Sequence, residues 1–149
     1  MKLQVSDSGR HVWDKLLSVV LLIAMLGALG YFLAIPKVGE RFTEFYILGT
    51  GGKVADYPEE LVVGQEEQFI VGILNHEHET VSYRVGIVVS GVKEVEVGPV
   101  VLEHEKKWEG GLSFVPVTVA ENQKVEFLLY KQGQTGVYQS LHLWVDVID

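Results

Sequence analysis

Two short stretches of the chain concentrate the side chains able to hold a metal ion or move a proton. Asn75, His76, Glu77, His78 and Glu79 place two imidazoles and two carboxylates in five consecutive residues. Imidazole nitrogen and carboxylate oxygen are ordinary ligands of zinc and other divalent ions. A catalytic zinc site takes three protein ligands and keeps a position open, and this spacing supplies no third partner by itself. The competing reading is a polar hairpin turn between two core strands, with Asn75 favoured because its side chain hydrogen-bonds local backbone. The turn is the expectation, with His76, His78, Glu77 and Glu79 as the metal candidates and no cofactor implied. Glu103, His104 and Glu105 repeat the composition and take the same reading.

Other chemistry finds less support. Ser82, Ser90, Ser113 and Ser140 lie in or beside strand-like segments without a nucleophile elbow, and a serine triad needs an oxyanion hole as well. Glu59 with Glu60, and Glu66 with Glu67, are adjacent carboxylates that fit a solvated strand edge better than an acid/base pair. Gly49, Thr50, Gly51 and Gly52 precede no helix and no Lys-Ser/Thr pair, so they form no P-loop. The chain has no cysteine, which removes disulfides, thiol catalysis and cysteine-based zinc sites. No enzymatic activity is expected.

A hairpin built on residues 124–130 and 138–147, with its register symmetric about Gln134, pairs Lys124 with Trp144, Glu126 with His142, and Leu128 with Ser140. These side chains face away from the core, and Trp144, Leu128 and Tyr130 become candidates for contact with a partner. The alternative is ordinary cross-strand stabilisation, with Lys124 over the indole and Glu126 paired to His142.

The elements that carry these residues divide in two. Residues 16–35 form a nearly uninterrupted apolar run of twenty residues, with Ser18 as its main polar interruption and no charge. As a helix it spans about 30 Å, the thickness of a bilayer's hydrocarbon core. Trp13 and Tyr31 sit near its ends, where aromatic rings favour the headgroups, and Pro36 stops the helix. This predicts a tail at 1–15, a membrane-spanning helix at 16–36 that contacts lipid, and a domain at 37–149. Ala28, Leu29 and Gly30 resemble a signal cleavage site, but the apolar run continues to Ile35, so an uncleaved anchor is expected. A slight excess of basic residues before the span points to a cytoplasmic N-terminus and an extracellular C-terminal domain.

Residues 37–149 carry nine basic and eighteen acidic side chains, a net charge of −9. That surface repels nucleic acid and anionic headgroups. Its apolar residues recur with period two, and segments end at Gly, Pro or Asn. The pattern predicts strands at 42–48, 68–74, 80–90, 108–115, 124–130 and 138–147. Shorter segments fall at 62–63, 92–97 and 100–102, the last two divided by Gly98 and Pro99. The expected core holds Phe69, Val71, Ile73, Tyr83, Val85, Ile87, Phe127, Leu129, Leu141, Leu143 and Val145. About seven strands without a helix predict an all-β, immunoglobulin-like antiparallel β-sandwich.

The stretch Phe42-Thr-Glu-Phe-Tyr-Ile-Leu-Gly49, with Tyr57-Pro58, Leu61, Gly64, Val71-Gly72-Ile73 and Asn75-His76-Glu77, forms one recognisable pattern. Leu128-Leu129-Tyr130 and the alternation Leu141, Leu143, Val145, Val147 extend it. It resembles the largely archaeal membrane-protein family known as domain of unknown function 1616. The resemblance implies a membrane-associated domain over roughly residues 41–147 and brings no catalytic residues. The combined expectation is a non-enzymatic, membrane-anchored cell-surface module that mediates protein interaction or envelope assembly. The alternative is a ligand- or metal-binding accessory domain using the His76/His78 loop.

Overall fold

The computed structural model describes residues 8–36, 39–49 and 51–149. Residues 1–7 of the expected tail, residues 37–38 after the helix and Thr50 of the glycine-rich loop lie outside the described residues. The chain forms two compact units, Met1–Gly39 and Glu40–Asp149.

The first unit is one helix, α1 (Ser8–Ala34), of which His11–Ala34 is long and apolar enough to cross a bilayer. It begins before the apolar run, so residues 8–15 of the expected tail are helical. Its apolar side chains are exposed all round, from Leu16 to Leu33, with no polar stripe that would suit water. Ser18 Oγ donates to the Asp14 carbonyl at 2.8 Å, so its hydroxyl has a partner within the helix.

The second unit holds eight strands among the described residues, where about seven are expected: β1 (Thr43–Leu48), β2 (Glu60–Val62), β3 (Glu67–Asn75), β4 (Val81–Val89), β5 (Val92–Leu102), β6 (Lys107–Phe114), β7 (Ala120–Lys131) and β8 (Gln139–Ile148). They form a three-stranded sheet, β1-β3-β6, and a five-stranded sheet, β2-β8-β7-β4-β5. Period-two alternation turns one face of each sheet inward. Phe69, Val71 and Ile73 of β3 thereby meet Val85, Ile87, Phe127 and Leu129 of the other sheet in one buried cluster. Phe69 packs edge-on against Phe127, with ring centroids 5.2 Å apart.

Three features depart from expectation. The β2–β8 pair is parallel, in an otherwise antiparallel structure. The segments expected at 92–97 and 100–102 are one strand, because Gly98 and Pro99 are accommodated as a bulge where the β4–β5 register shifts between Tyr83 and Val85. Gly98 has φ +144°, and a Cβ there would lie 2.8 Å from Arg84 Cγ, so only glycine fits. Finally, Leu141 and Leu143 turn toward the core but are only partly buried, because the sheets leave a gap between β1 and β8. The core also takes in Phe45, Ile47, Leu61, Val81, Leu112, Phe114, Val125 and Val147.

Candidate functional site

The 75–79 loop joins β3 to β4, and Asn75 shapes it. Asn75 is fully buried and accepts a hydrogen bond on Oδ1 from the Glu77 N–H at 2.8 Å. Its Nδ2 donates to the carbonyls of Glu79 at 2.8 Å and Leu102 at 2.7 Å. This side-chain-to-backbone turn drives Glu77 inward and leaves His76 and His78 on the outside.

Glu77 is the centre of a polar cluster between the sheets. Thr43 and Tyr138 hydroxyls both donate to its Oε1 at 2.8 Å, and Lys131 Nζ lies 2.7 Å from Oε2. The side chains of Glu77 and Lys131 are 4% and 15% exposed, so this is a largely desolvated ion pair. Thr43 Oγ1 also shares a 2.8 Å hydrogen bond with the Tyr83 hydroxyl, and Lys131 sits 5.0 Å from the Tyr138 ring centre. Burial pushes the Glu77 carboxyl up, but Lys131, Thr43 and Tyr138 outweigh it and hold the group below its usual range. Burial raises the Tyr83 phenol to about 12. Among the described residues no buried side-chain nitrogen or oxygen lacks a partner. The geometry is that of a tie between sheets.

The outward imidazoles are engaged as well. His76 stacks on Phe42 with centroids 4.6 Å apart, and its Nδ1 and Nε2 lie 2.9 Å from Glu105 and 3.0 Å from Glu44. The Glu105 hydrogen bond, helped by Glu44, raises the His76 pKa and favours the doubly protonated ring that donates to both carboxylates. His78 lies against His104, ring centroids 4.5 Å apart, and its N–H donates to His104 Nδ1 at 3.2 Å. The Glu79 carboxylate lies 3.7 Å from Arg41 in an exposed contact. Of the four metal candidates, Glu77 points inward, the Glu79 carboxylate lies by Arg41, and His76 and His78 both lie against the 103–105 turn, near Glu105. Among the described residues no group of three or more His, Cys, Asp or Glu side chains converges as a cation cage.

On the last hairpin, Lys124 lies opposite Trp144, Glu126 opposite His142 and Leu128 opposite Ser140. Trp144 is 57% exposed, edge-on to His142 at 6.1 Å. Lys124 Nζ bonds Glu126 at 2.7 Å. Leu128 and Tyr130 share the outer face but are half-buried, four and six residues along β7 from the position opposite Trp144, roughly 13–20 Å away. Arg84 sits 5.2 Å from the Tyr130 ring centre, giving that ring a cation as cover. Trp144 therefore stands apart from the other two candidates.

Sequence reasoning missed Lys131, Tyr138, Thr43 and Gln139. A signal for Lys131 was present: it continues the inward series Val125, Phe127, Leu129, and a cation in that register needs a buried partner.

The family model described as Domain of unknown function (DUF1616) matches residues 36–146. No curated protein matches the sequence. Among solved structures, the chain is similar to the CARDB domain of the PF1109 protein from Pyrococcus furiosus, whose crystal structure is described as a complex with di-metal ions. The identity is 13%, the TM-score 0.55, and the match covers 75% of this chain and 97% of that one. The solution structure of the same domain gives 14% identity, a TM-score of 0.51, and coverage of 73% and 98%. At these identities the likeness concerns the fold alone. The apolar helix and the family match support a membrane topology with one span among the described residues and the β domain on the extracellular side.

Proposed function

Because this chain belongs to the DUF1616 family, we propose that it is a membrane-tethered, non-catalytic module that binds another envelope or membrane protein through the outer face of its last hairpin. The observation that carries this reading is Trp144, more than half exposed on the outer face of a domain that is otherwise strongly acidic. Tryptophan is among the side chains enriched at the energetic centre of protein interfaces. Leu128 and Tyr130 extend the same face, Tyr130 beneath its arginine cover.

Burial of a tryptophan at an interface centre contributes more than about 2 kcal/mol, so one substitution decides the matter. Trp144→Ala is expected to lose capture of the native partner from solubilised membranes, with a thermal midpoint close to that of the wild type. The reading fails if the variant unfolds, or if it keeps the partner.

A further inference from the structure

We propose that the open edge of β8 takes up an extended segment of the partner protein as an added strand, whose alternate apolar side chains fill the groove between β1 and β8. This rests on the interaction reading above and states how the contact is made.

The sheet order leaves β1, β6, β2 and β5 at the edges. β2, however, covers only the last part of β8, from Asp146 to Ile148. There the Asp146 N–H donates to the Glu59 carbonyl at 2.8 Å, and the Ile148 carbonyl accepts from the Val63 N–H at 2.9 Å. The even-numbered residues of β8 thus direct their backbone groups away from β7. Period-two alternation then turns the N–H and C=O of Ser140, His142 and Trp144 to the same side, where the five-stranded sheet has no further strand among the described residues.

The other edges are blunted. Along β1, Gln139 Nε2 donates to the Thr43 carbonyl at 2.7 Å and the Tyr57 hydroxyl to the Ile47 carbonyl at 2.9 Å. β5 carries the bulge at Gly98 and Pro99, and its Glu96 is paired to Lys93 and Arg84. β6 carries the Lys107–Glu109 ion pair, and its Trp108 ring lies across Gly110. Lysines, prolines and bulges are the usual means of closing an edge, and residues 139–145 of β8 contain neither lysine nor proline.

Beside this edge lies a groove of about 420 Å³ whose apolar lining includes Phe45, Ile47, Val54, Tyr57, Leu141 and Leu143. It is the gap that leaves Leu141 and Leu143 partly exposed. A strand added to β8 directs alternate side chains into it. Asp56 and Glu59 stand at one end, next to Trp144, and neither is in an ion pair among the described residues. Charge complementarity therefore asks for an occupant with basic residues flanking its apolar positions.

The test uses the full-length chain in detergent and the synthetic peptide KVTVTVK, with amide hydrogen exchange followed residue by residue. Saturating peptide is expected to slow exchange at Ser140, His142 and Trp144. Two versions of the peptide, N-methylated on alternate residues, should separate. The one methylated on the side facing β8 binds at least about tenfold more weakly, and the other keeps its affinity. His142→Pro removes an outward N–H while leaving the β7 bonds in place, and should weaken binding by a similar factor. Equal affinity for both methylated peptides overturns the proposal, as does absence of protection at the three amides up to about 1 mM peptide. So does concentration-dependent protection without peptide, which would mean that a second copy fills the edge. If Trp144→Ala loses the native partner while the methylated peptides bind alike, the added strand falls and the interaction reading stands. If Trp144→Ala keeps the partner while the peptides separate, the reverse holds.

Discussion

At the Thr43 end of the sandwich, three donors from both sheets close on Glu77, and the side-chain polar atoms buried there are matched inside the protein. Along the middle of β8, backbone groups face outward beside an apolar groove, with no strand paired to them on that side among the described residues. Both regions join a polar line to an apolar wall, and they differ in who supplies the partner. A polar group matched within the chain adds to uniqueness of fold, whereas one left open beside a dry groove remains available to another molecule. The loop densest in chemically capable side chains supplies the tie through Glu77, and a run of ordinary residues lines the open edge.

Breaking the first region should have the largest effect. Glu77→Ala leaves Lys131 largely buried without its counter-charge and deprives Thr43 and Tyr138 of an acceptor. A loss of about 3–5 kcal/mol in unfolding free energy is expected by chemical denaturation. A loss below about 1 kcal/mol would mean that the cluster does not tie the sheets.

The second contrast lies within the apolar face itself. Leu129 is fully buried, and its replacement by Ala should cost about 2–5 kcal/mol. Leu141, on the adjacent strand but at the groove, should cost about 1–2 kcal/mol, because part of its surface is already in water. Equal losses would mean that the groove is closed in solution.

The smallest effect is the pH dependence. Glu77 has a folded pKa below its ordinary value of 4.5, so its contribution is complete above that value and disappears as pH falls through the lower folded one. His76 has a raised pKa, so its contribution is complete below 6.5 and fades as pH rises through the folded value. The thermal midpoint should therefore be highest between about pH 4.5 and 6.5. The acid limb should be shallower in Glu77→Ala, where Glu96, Glu105 and Glu109 still titrate below their usual range, and the alkaline limb should flatten in His76→Ala. Unchanged limbs in these variants would assign the titration to other groups.

The strands of both sheets were legible because alternation reports which face is buried, and β3, β4 and β7 bury the residues it selects. The hairpin register was legible from its symmetry about Gln134. Composition identified the 75–79 loop but gave no directions for its side chains. Those follow from the turn made by Asn75 and from Lys131, which is 54 residues beyond Glu77 in the sequence. The open edge was not legible, because no pattern within β8 says which strands lie beside it. β2 is too short to show alternation, and its parallel pairing is set by the path of the chain between the sheets.

The polar tie at the Thr43 end also dictates an order in time. The Tyr138 hydroxyl that meets Glu77 is 61 residues further along the chain, and Gln139, which meets the Thr43 carbonyl, is 96 residues beyond it. At a synthesis rate of about 5–20 residues per second, Tyr138 follows Glu77 out of the ribosome by roughly 3–12 s. Throughout that interval the acidic side chain lacks its Tyr138 donor and the five-stranded sheet lacks β8. Completion of the domain thus waits on its last hairpin, and a nascent chain held at the membrane must be kept from aggregating until that hairpin arrives.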